Sequence, residues 1–402
     1  MSHAIIVGAG PGGASLAYLL ARRGIEVTLI ERQTDFAREF RGEVLLPGGL
    51  EPFAQMGLWD ALDAVPHVTL NAVALYVNGK RRARVTFEPA QFGPFAPRWC
   101  SQPALLEMLV AQCARQPSFR FERGTHVRDL VYDGERAVGV QLDGGRELRG
   151  DIVVGADGRT SIVRRRSEVP VHADPVPMDV VWCKLPLPDW FRADPHLRGY
   201  VGGGHLLLAA PVYDGHLQLA WIIAKGQYGE LRTRGIPELI DELAAHVSSD
   251  LAEHLRRHRN AAVQTFLLSV VSDRVTCWSR PGLLLIGDAA HTMSPVGAQG
   301  LNIAIRDAIV AANHLVPALA GGASPAAIDA ATQRIEAERV PEVTEIQHLQ
   351  AQPPRILFRD TWWTRLALAV VPRLLPFAIR GAGRAAVIRR FAFGVTEVKL
   401  AV

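Results

Sequence analysis

The N-terminal segment constrains the fold more than any other part of the chain. The stretch AIIVGAGPGGASLAYLLARRGIEVTLIER predicts a buried strand (4–7), a glycine turn, an amphipathic helix (about 13–23) that Gly24 ends, and a second strand (27–30). Strand, helix and strand in this order form a βαβ unit, which places two parallel strands side by side in one sheet. The chain is therefore predicted to build a parallel sheet covered by helices.

The glycines of this turn have the spacing of a dinucleotide-binding site. Gly8, Gly10 and Gly13 occupy the GxGxxG positions, which allow a tight turn, backbone approach to a pyrophosphate and close packing of helix on strand. Glu31 ends the second strand, where a carboxylate can accept hydrogen bonds from the hydroxyls of an adenosine ribose. The sequence predicts a bound dinucleotide, with an ordinary α/β turn as the alternative.

Length and composition describe a globular protein with an uneven charge distribution. The 402 residues, 49% of them hydrophobic, suffice for two domains or one large α/β domain with an inserted sheet. Residues 351–402 carry nine basic residues against two acidic ones, so the rest of the chain is nearly neutral. This near-neutral charge of residues 1–350 argues against a nucleic-acid-binding surface, which normally forms a clustered basic stripe.

The cysteines and the N-terminus favour a cytoplasmic protein without a metal site. Four cysteines show no CxxC pair and no regular spacing, so neither a zinc site nor a disulfide framework is predicted. The N-terminus has no basic region followed by a separate apolar segment, which makes a secretory signal an unlikely feature. We therefore expect a reducing, cytoplasmic location and no metal.

Three segments of the middle region have the pattern of antiparallel hairpins. Residues 73–87 turn at Asn78-Gly79, residues 137–149 around Gly144-Gly145, and residues 206–224 at Asp214-Gly215. Antiparallel hairpins within a parallel-sheet protein suggest a second sheet inserted discontinuously into the nucleotide-binding fold. The helical stretch 236–258 is expected to cover one face of that sheet.

Two further strand ends carry small residues and an acid. IVVGADGRTSIVRR (152–165) runs from an apolar strand into Asp157-Gly158, which could be a plain β-turn. LLLIGDAAHTMSPVGAQGLNIAIRDA (283–308) runs from an apolar strand through Asp288, a proline and glycines into a helix. Together with the N-terminal turn, they predict that three strand ends face one ligand.

The three segments in this order resemble the signatures of the FAD-dependent aromatic hydroxylases, the group A flavoprotein monooxygenases typified by p-hydroxybenzoate hydroxylase and the ubiquinone-biosynthesis hydroxylases. The resemblance extends over residues 1–310. It implies an FAD cofactor, NAD(P)H as a transient co-substrate, and O2. The implied reaction hydroxylates an aromatic or other electron-rich, lipophilic small molecule through a flavin C4a-hydroperoxide.

The resemblance also implies roles for individual residues. Those expected to contact FAD are Gly8, Gly10, Gly13, Glu31, Arg32, Arg41, Gln102, Val127, Asp157, Asp288, Gly300, Leu301 and Asn302. Arg41 fits a solvated loop arginine equally well, Gln102 an ordinary helix N-terminal residue, and Asp157 a structural turn residue. Pro295 and Gly297 are expected to bring backbone close to the flavin ring, where side chains would collide with it.

The backbone N–H groups near Leu301 and Asn302 are expected to face the N1–C2=O edge of the flavin. A helix N-terminus at that edge favours negative charge. No acid or base residue is assigned. His291 is expected to organise its loop, and the sequence does not show which face of the inserted sheet carries Trp182, Trp221, Tyr213 and His216.

The predicted fold is α/β, with a Rossmann-like, glutathione-reductase-type FAD-binding domain, an inserted and mostly antiparallel substrate sheet, and a C-terminal helical segment. The FAD-binding parts are predicted at 1–72, 97–170 and 272–345, the substrate parts at 73–96 and 171–271, and the helical cap at 346–402. The basic, apolar tail is expected to form this cap, with weak contact to an acidic membrane surface as the alternative.

Three other functions remain open at this point. A flavin halogenase shares the fold but typically has a WxWxIP motif, which none of the eight tryptophans makes. A prenyl-chain reductase would use the same FAD signatures without oxygen. A catalytically silent FAD-binding module would stabilise a partner. The sequence leaves the substrate, the choice of NADH or NADPH and the oligomeric state undetermined.

Overall fold

The computed structural model describes residues 2–37, 43–202, 205–260, 263–322, 324–357, 390 and 392–402. These residues form a mixed α/β protein with two large sheets and three small ones. The prediction of a helical cap at 346–402 falls partly within the described residues, because the last long helix continues to Leu357. Most of the remaining tail lies outside them.

The strands of the described residues are β1 (His3–Val7), β2 (Glu26–Glu31), β3 (Val44–Leu45), β4 (His67–Thr69), β5 (Ala72–Val77), β6 (Lys80–Thr86), β7 (Arg98–Cys100), β8 (Phe119–Arg123), β9 (Val127–Asp133), β10 (Arg136–Leu142), β11 (Glu147–Arg149), β12 (Ile152–Gly155), β13 (Val171–Asp174), β14 (Met178–Pro186), β15 (Leu197–Gly202), β16 (His205–Pro211), β17 (His216–Ala224), β18 (Val263–Leu268), β19 (Ser272–Val275), β20 (Ser279–Arg280), β21 (Leu283–Leu285) and β22 (His291–Thr292).

The α-helices of the same residues are α1 (Pro11–Arg22), α2 (Pro47–Gln55), α3 (Trp59–Asp63), α4 (Pro89–Phe92), α5 (Gln102–Cys113), α6 (Ile162–Arg166), α7 (Asp189–Ala193), α8 (Tyr228–Arg234), α9 (Ile236–Ala244), α10 (Ser249–Arg257), α11 (Gln299–Ala320) and α12 (Pro325–Leu357). Short 3-10 turns occupy Asp143–Gly145, Gly287–Ala289 and Val296–Ala298.

The first large sheet contains the predicted βαβ unit. Its strand order is β20-β21-β12-β1-β2-β8, and every neighbouring pair is parallel except β20 with β21. The apolar runs of β1, β2, β12 and β21 are buried because helices cover the sheet. The carboxyl ends of three central strands therefore lie side by side, and each leads into one of the three glycine-containing turns.

The second large sheet has the order β18-β14-β17-β16-β15-β5-β6. Its neighbouring strands are antiparallel except for β15 with β5. The hairpins predicted at Asn78-Gly79 and Asp214-Gly215 are confirmed within it, and the hairpin around Gly144-Gly145 is confirmed in a small separate sheet. Asn78 and Gly79 both have positive φ, at 49° and 72°, as a two-residue hairpin turn of this type requires.

The two faces of the second sheet have different surroundings. Alternate residues of β14 point to opposite sides, so Val181 and Cys183 pack with Trp221 in a core that α9 and α10 cover. Met178, Val180 and Trp182 point to the other side. The structure thus separates the two tryptophans whose orientation the sequence left open. The predicted helical stretch 236–258 covers its face as two helices that break between Ala244 and Ser249.

The central helix of the protein is α11, which packs against α1, α2 and α12. The segment Val296–Ala320 is long and apolar enough to cross a membrane by length and composition, but 78% of the window tested is buried inside the protein. A core helix that is apolar on all sides has this composition as well. Its burial explains the composition without a membrane.

Candidate functional site

One large cavity of about 1270 Å³ extends from the carboxyl edge of the first sheet to a face of the second sheet. Pockets for a single small ligand occupy roughly 300–1,000 Å³. The volume therefore leaves room for two ligands in contact with each other. The residues that line it divide into two halves of different chemistry and a loop that joins them.

The glycine-rich half contains the three strand-end turns of the first sheet and all the charged side chains among the described lining residues. It is lined by Gly8, Gly10, Gly12, Gly13, Glu31, Arg32, Gln33, Gln102, residues 125–128, residues 156–160, Arg165, Arg166, residues 286–288, Gly300 and Leu301. It thus includes most of the residues that the resemblance assigned to a cofactor.

The N-terminal turn explains its glycines by direct contact. A Cβ at Gly13 would lie 2.0 Å from the carbonyl oxygen of Gly8, and a Cβ at Gly8, whose φ is +101°, would lie 2.5 Å from the oxygen of Ala156. A Cβ at Gly10 would meet no atom of the described chain closer than 3.9 Å. Gly8 and Gly13 are therefore required by the fold, whereas Gly10 faces the open cavity.

The α1 helix begins at the cavity with its first-turn N–H groups uncapped by any side chain. Gly10 is the N-cap residue and Pro11 follows it. Arg32, Arg128, Arg159, Arg165 and Arg166 line the same half and add positive charge. A helix N-terminus together with arginines favours a phosphate or pyrophosphate group.

Glu31 is buried at the end of β2. Its Oε2 accepts a hydrogen bond of 3.0 Å from the backbone N–H of Ala9, and its Oε1 one of 3.0 Å from that of Gln33. These bonds fix the carboxylate at the cavity wall beside the glycine turn. A carboxylate offers about four acceptor sites, so a carboxylate at this position suits ribose hydroxyls.

Asp157 serves the fold even though it lines the cavity. Its carboxylate accepts hydrogen bonds from the Ser161 hydroxyl at 2.5 Å and from the backbone N–H of Ile162 at 2.6 Å, at the start of α6. Burial raises the pKa of this carboxyl, against the lowering effect of these donors. The Asp157 side chain therefore acts as a structural turn residue that holds the start of α6.

Asp288 lies in the turn that follows β21. The strand β21 ends at Leu285, and Asp288 stands in the following 3-10 turn, Gly287–Ala289. Its Oδ2 accepts a hydrogen bond of 3.3 Å from Nε of Arg159. The carboxylate is partly exposed to the cavity, so this turn brings together one group from each of two strand ends.

The junction loop, residues 293–298, lines the cavity where the two halves meet along the chain. Gly297 has φ +74° and Ala298 has φ +53°, and Ala298 is the N-cap of α11 without a side-chain cap. An alanine in the left-handed region is strained, and such strain often marks a functional site. Pro295 and Gly297 lie on the wall here, and Gly300 and Leu301 follow in the first turn of α11.

One described residue of the predicted cofactor set, Asn302, is not on the cavity wall. Asn302 is buried and its side chain holds neighbouring backbone, because Oδ1 accepts from the N–H of Leu46 at 2.9 Å and Nδ2 donates to the oxygen of Ala298 at 2.7 Å. It supports the junction loop from behind. Arg41 lies outside the described residues.

A buried ion network holds the turn after β21 in place. It consists of His291, Asp307, Arg339, Glu342 and Arg306. Asp307 accepts from the N–H of Gly287 at 2.9 Å, lies 2.7 Å from Nε2 of His291, and accepts from Nε of Arg339 at 2.8 Å. Burial raises the pKa of Asp307, but the charges of His291 and Arg339 outweigh this and hold it well below its usual range. His291 is thus one of the buried side chains that hold this turn.

The apolar half lies against the open face of the second sheet. It is lined by Val44, Leu46, Leu70, Val73, Val85, Phe87, Trp99, Met178, Val180, Trp182, Leu197, Leu206, Leu208, Ala220, Ile222 and Leu268. Among these described lining residues there is no charged side chain. A ligand held here must be mostly apolar, because an unpaired charge in such surroundings costs several kcal/mol at least, on the order given by transfer measurements.

Sequence reasoning missed Trp99 and Glu43. Trp99, on β7, lines the apolar half, and its Nε1 donates a hydrogen bond of 3.2 Å to Oε2 of the buried Glu43. One signal in the sequence was an isolated acid before an apolar run in RGEVLL. The alternation of Met178, Val180 and Trp182 on one strand was a second signal, but it did not identify the cavity-facing side.

The glycine-rich half fits an FAD molecule. Gly10 leaves backbone open to the cavity, α1 and α11 present uncapped N-termini, and Glu31 stands at the strand end. Gly10 and the α1 N-terminus suit a pyrophosphate, the α11 N-terminus suits a ring edge that becomes anionic, and Glu31 suits a ribose. The described residues contain no cluster of His, Cys, Asp and Glu that could hold a metal ion.

The chain matches the family model described as "FAD binding domain" over residues 1–345. It is 33% identical over 398 residues to 6-methylpretetramide 4-monooxygenase of Streptomyces rimosus, covering 97% of this chain and 91% of that protein. It is 27% identical over 348 residues to 3-demethoxyubiquinol 3-hydroxylase of Escherichia coli (strain K12), covering 79% of this chain and 80% of that protein.

A solved structure shows the same fold. The crystal structure of PqsL of P. aeruginosa in complex with 2-aminobenzoylacetate superposes with a TM-score of 0.81, at 23% identity. The match covers 92% of this chain and 99% of that one.

Proposed function

The chain belongs to the FAD binding domain family of flavoprotein monooxygenases, and from that premise we propose that it hydroxylates an uncharged, lipophilic aromatic compound in the apolar half of its cavity. It is an FAD-dependent monooxygenase, and its electrons come from NAD(P)H, as in this family. The observation that carries the proposal on the substrate is the division of the cavity. All the charged lining side chains among the described residues stand in the glycine-rich half.

The glycine-rich half is proposed to hold FAD. The α1 N-terminus and the arginines would neutralise the pyrophosphate, and Glu31 would accept hydrogen bonds from the adenosine ribose. Arg32, Gln102, Val127 and Asp288 stand on the wall beside these groups. The bound flavin supplies the chemistry, namely electron transfer from NAD(P)H and activation of O2 for insertion of one oxygen atom into an electron-rich ring.

The chain's own contribution is positioning and exclusion of water. Pro295 and Gly297 carry little side chain, so the junction loop would let a flat ring system lie close to its backbone. The N–H groups at the start of α11 would stabilise negative charge on that ring system, an effect worth about 0.3–1 kcal/mol or more when partly buried. The apolar residues of β14, β16 and β17 would hold the substrate ring in a dry pocket.

The division of the cavity also supports an assignment of domains. The segments that line the glycine-rich half are proposed as the Rossmann-like FAD-binding domain, and the second sheet as the inserted substrate domain, within the boundaries predicted from the sequence. We also propose a cytoplasmic location. The relatives act, by their names, on 6-methylpretetramide and on 3-demethoxyubiquinol, and both names support an aromatic ring as the target.

The test is turnover with a matched pair of substrates under oxygen-18 gas. The FAD-loaded protein is given NADH or NADPH and either 2-naphthol or its carboxylated analogue 6-hydroxy-2-naphthoate. We expect a hydroxylated product of 2-naphthol that contains one labelled oxygen, and little or none from the carboxylate. Faster hydroxylation of the carboxylate would contradict the proposed substrate class.

The same experiment separates the other functions. NAD(P)H consumption with product but without oxygen uptake would indicate a reductase, and a product that forms only with added bromide or chloride would indicate a halogenase. A flavin that NAD(P)H cannot reduce would indicate a silent binding module.

A further inference from the structure

A buried carboxylate lies directly behind the wall where the two halves of the cavity come together. Glu43 immediately precedes β3, is only 5% exposed, and interacts electrostatically with Lys184 of β14 in the second sheet. Its carboxylate accepts a hydrogen bond of 3.2 Å from Nε1 of Trp99, and the nearby backbone N–H of Gln102 also favours its ionised form. Trp99 lines the apolar half and Gln102 the glycine-rich half.

Glu43 therefore bonds Trp99 of the apolar half and lies near Gln102 of the glycine-rich half. An ionised carboxylate only accepts hydrogen bonds, and those it accepts are roughly twice as strong as neutral ones. A protonated carboxyl has a donor hydrogen at one oxygen and a weaker acceptor at the other. The two protonation states of Glu43 thus hold the Trp99 indole and the start of α5 with different strength.

Other titratable groups surround this carboxyl. Those on the elements packed against it are Cys100 on β7, Lys184 on β14, and Tyr213 and Asp214 in the turn between β16 and β17. Arg98, on the same strand as Cys100, forms an ion pair with Asp63 at 3.0 Å. Lys184 forms an ion pair with Asp214, and His216 lies 3.0 Å from the other oxygen of Asp214.

The balance of these groups keeps Glu43 titratable near neutral pH. Burial raises its pKa to about 7, because the bond from Trp99 and the charge of Lys184 offset only part of the desolvation cost. The thiol of Cys100 does not compete for this range, since burial raises its pKa to about 12. Burial also raises the pKa of the Tyr213 hydroxyl above its ordinary value.

We propose that Glu43 is a positioning residue that couples its protonation to ligand binding, by fixing Trp99 and Gln102 on the cavity wall when its carboxylate is ionised. The inference rests on the proposed function, since the ligand concerned is the aromatic compound of the apolar half. The proton exchanges between the Glu43 carboxyl and solvent, and no oxidant or reductant takes part.

The test measures binding of 2-methoxynaphthalene to the FAD-loaded protein as a function of pH. This probe has no titratable group, so any pH dependence belongs to the protein. The probe is titrated into wild type, Glu43→Gln, Trp99→Phe and His216→Gln, and binding is followed by the change in flavin absorbance. His216→Gln is the control, because His216 is the histidine that contacts Asp214 in the same cluster.

For wild type and His216→Gln, we expect affinity to rise about fivefold as the pH increases through about 7. Glu43→Gln should give a flat profile. In Trp99→Phe the midpoint should move to higher pH, because a donor that favours the ionised carboxylate is gone. A purely structural role of Glu43 would change affinity at all pH values alike and leave the midpoint in place.

Three results would overturn the inference: a pH-independent wild type, a pH dependence that survives in Glu43→Gln, or a dependence lost in His216→Gln. If Glu43→Gln does not fold, the direction of the Trp99→Phe midpoint decides.

Failure of the probe to bind at any pH would count against the proposed function instead. The inference would then be judged by the ultraviolet absorbance of Trp99, whose pH-dependent shift should disappear in Trp99→Phe and Glu43→Gln. A shift that remains in Glu43→Gln would contradict it.

Discussion

The two halves of the cavity are built in different ways. The glycine-rich half is formed mainly by three short segments, each a strand end and the turn that follows it, and each with its own sequence pattern. Residues 31–33, Gln102 and residues 125–128 add to them. The apolar half is assembled from one to three residues of each of seven strands in the second sheet and from segments near β3 and β7. Backbone and charge shape the first half, whereas alternation of apolar side chains shapes the second.

This difference shows which residues can alter substrate specificity without disturbing the cofactor turns. The backbone turns that would hold the cofactor admit few substitutions, because side chains at Gly8 or Gly13 would collide with main chain. A residue of the apolar wall such as Leu208 or Val180 can change size without touching those turns. We expect that the two halves can be damaged separately, and the following predictions test this from the largest effect to the smallest.

The largest effect is expected from Asp307→Asn, which breaks the support of the glycine-rich half. The substitution leaves Arg339, whose side chain is fully buried, without its charge partner at Asp307. Breaking a buried ion pair in this way costs about 3–5 kcal/mol of unfolding free energy. Urea unfolding and the fraction of bound FAD should both report the loss.

The matched control for Asp307→Asn is Glu253→Gln, which removes an exposed pair with Arg257 whose side chains are 67% and 73% accessible. We expect its stability to stay within roughly 0.5 kcal/mol of wild type. Equal effects of the two substitutions would contradict the role of the buried ion network.

The second effect concerns the contact between the halves and depends on pH. Glu43 has a folded-state pKa of about 7, raised by burial, so the folded protein keeps a proton that the unfolded chain releases at lower pH. The stabilisation is fully present below the unfolded pKa and is lost as the pH rises through about 7. The loss amounts to about 3 kcal/mol.

Wild type should therefore lose this much stability relative to Glu43→Gln between about pH 4.5 and about pH 8. Urea unfolding of the two proteins over this range measures it. Parallel stability curves would show that the carboxyl is ionised at ordinary pH.

The third prediction breaks the glycine-rich half without removing any charge. Gly13→Ala places a methyl group 2.0 Å from the oxygen of Gly8, so backbone must shift. Overpacking of this kind costs about 1–3 kcal/mol, which corresponds to a weakening of FAD binding by roughly fivefold to 150-fold. Gly229→Ala is the control, since a Cβ there meets nothing within 4 Å. Unchanged FAD affinity in Gly13→Ala would contradict the assignment of the turn.

The smallest effect is expected from Leu208→Ala in the apolar half. Removing apolar contact area there should weaken binding of 2-methoxynaphthalene by about 1 kcal/mol, or roughly fivefold, and leave FAD affinity unchanged. Val171→Ala, at a side chain that is 45% exposed, should change neither. Loss of FAD from Leu208→Ala would show that the two halves are not separable.

The sequence predicted the parts of the molecule that depend on local pattern. The βαβ unit, the three hairpins and the turns at Asp157 and Asp288 follow from glycines, alternation and spacing within a few residues. A family resemblance then assigned the cofactor. The glycine-rich half was therefore largely foreseen, apart from Asn302, whose side chain holds the junction loop, and Arg41, which lies outside the described residues.

What the sequence did not reveal depends on contacts between distant segments. The charge of Lys184 acts on Glu43, more than a hundred residues away in sequence. Asp307 of α11 accepts a hydrogen bond from Arg339 of α12. The periodicity of a single helix or strand cannot predict such pairs, because each partner fits its own element whether or not the other residue is present. The orientation of Trp182 and Trp221 was open for a related reason: both faces of the second sheet are apolar, so alternation fits either assignment.

The most direct test of the account is a crystal structure of the protein with FAD and 2-methoxynaphthalene. The account predicts the pyrophosphate at the N-terminus of α1, the adenosine ribose at Glu31, the flavin ring against the junction loop, and the naphthalene ring in the apolar half beside Trp182. An aromatic ring bound outside the apolar half, or FAD bound away from the α1 N-terminus, would contradict it.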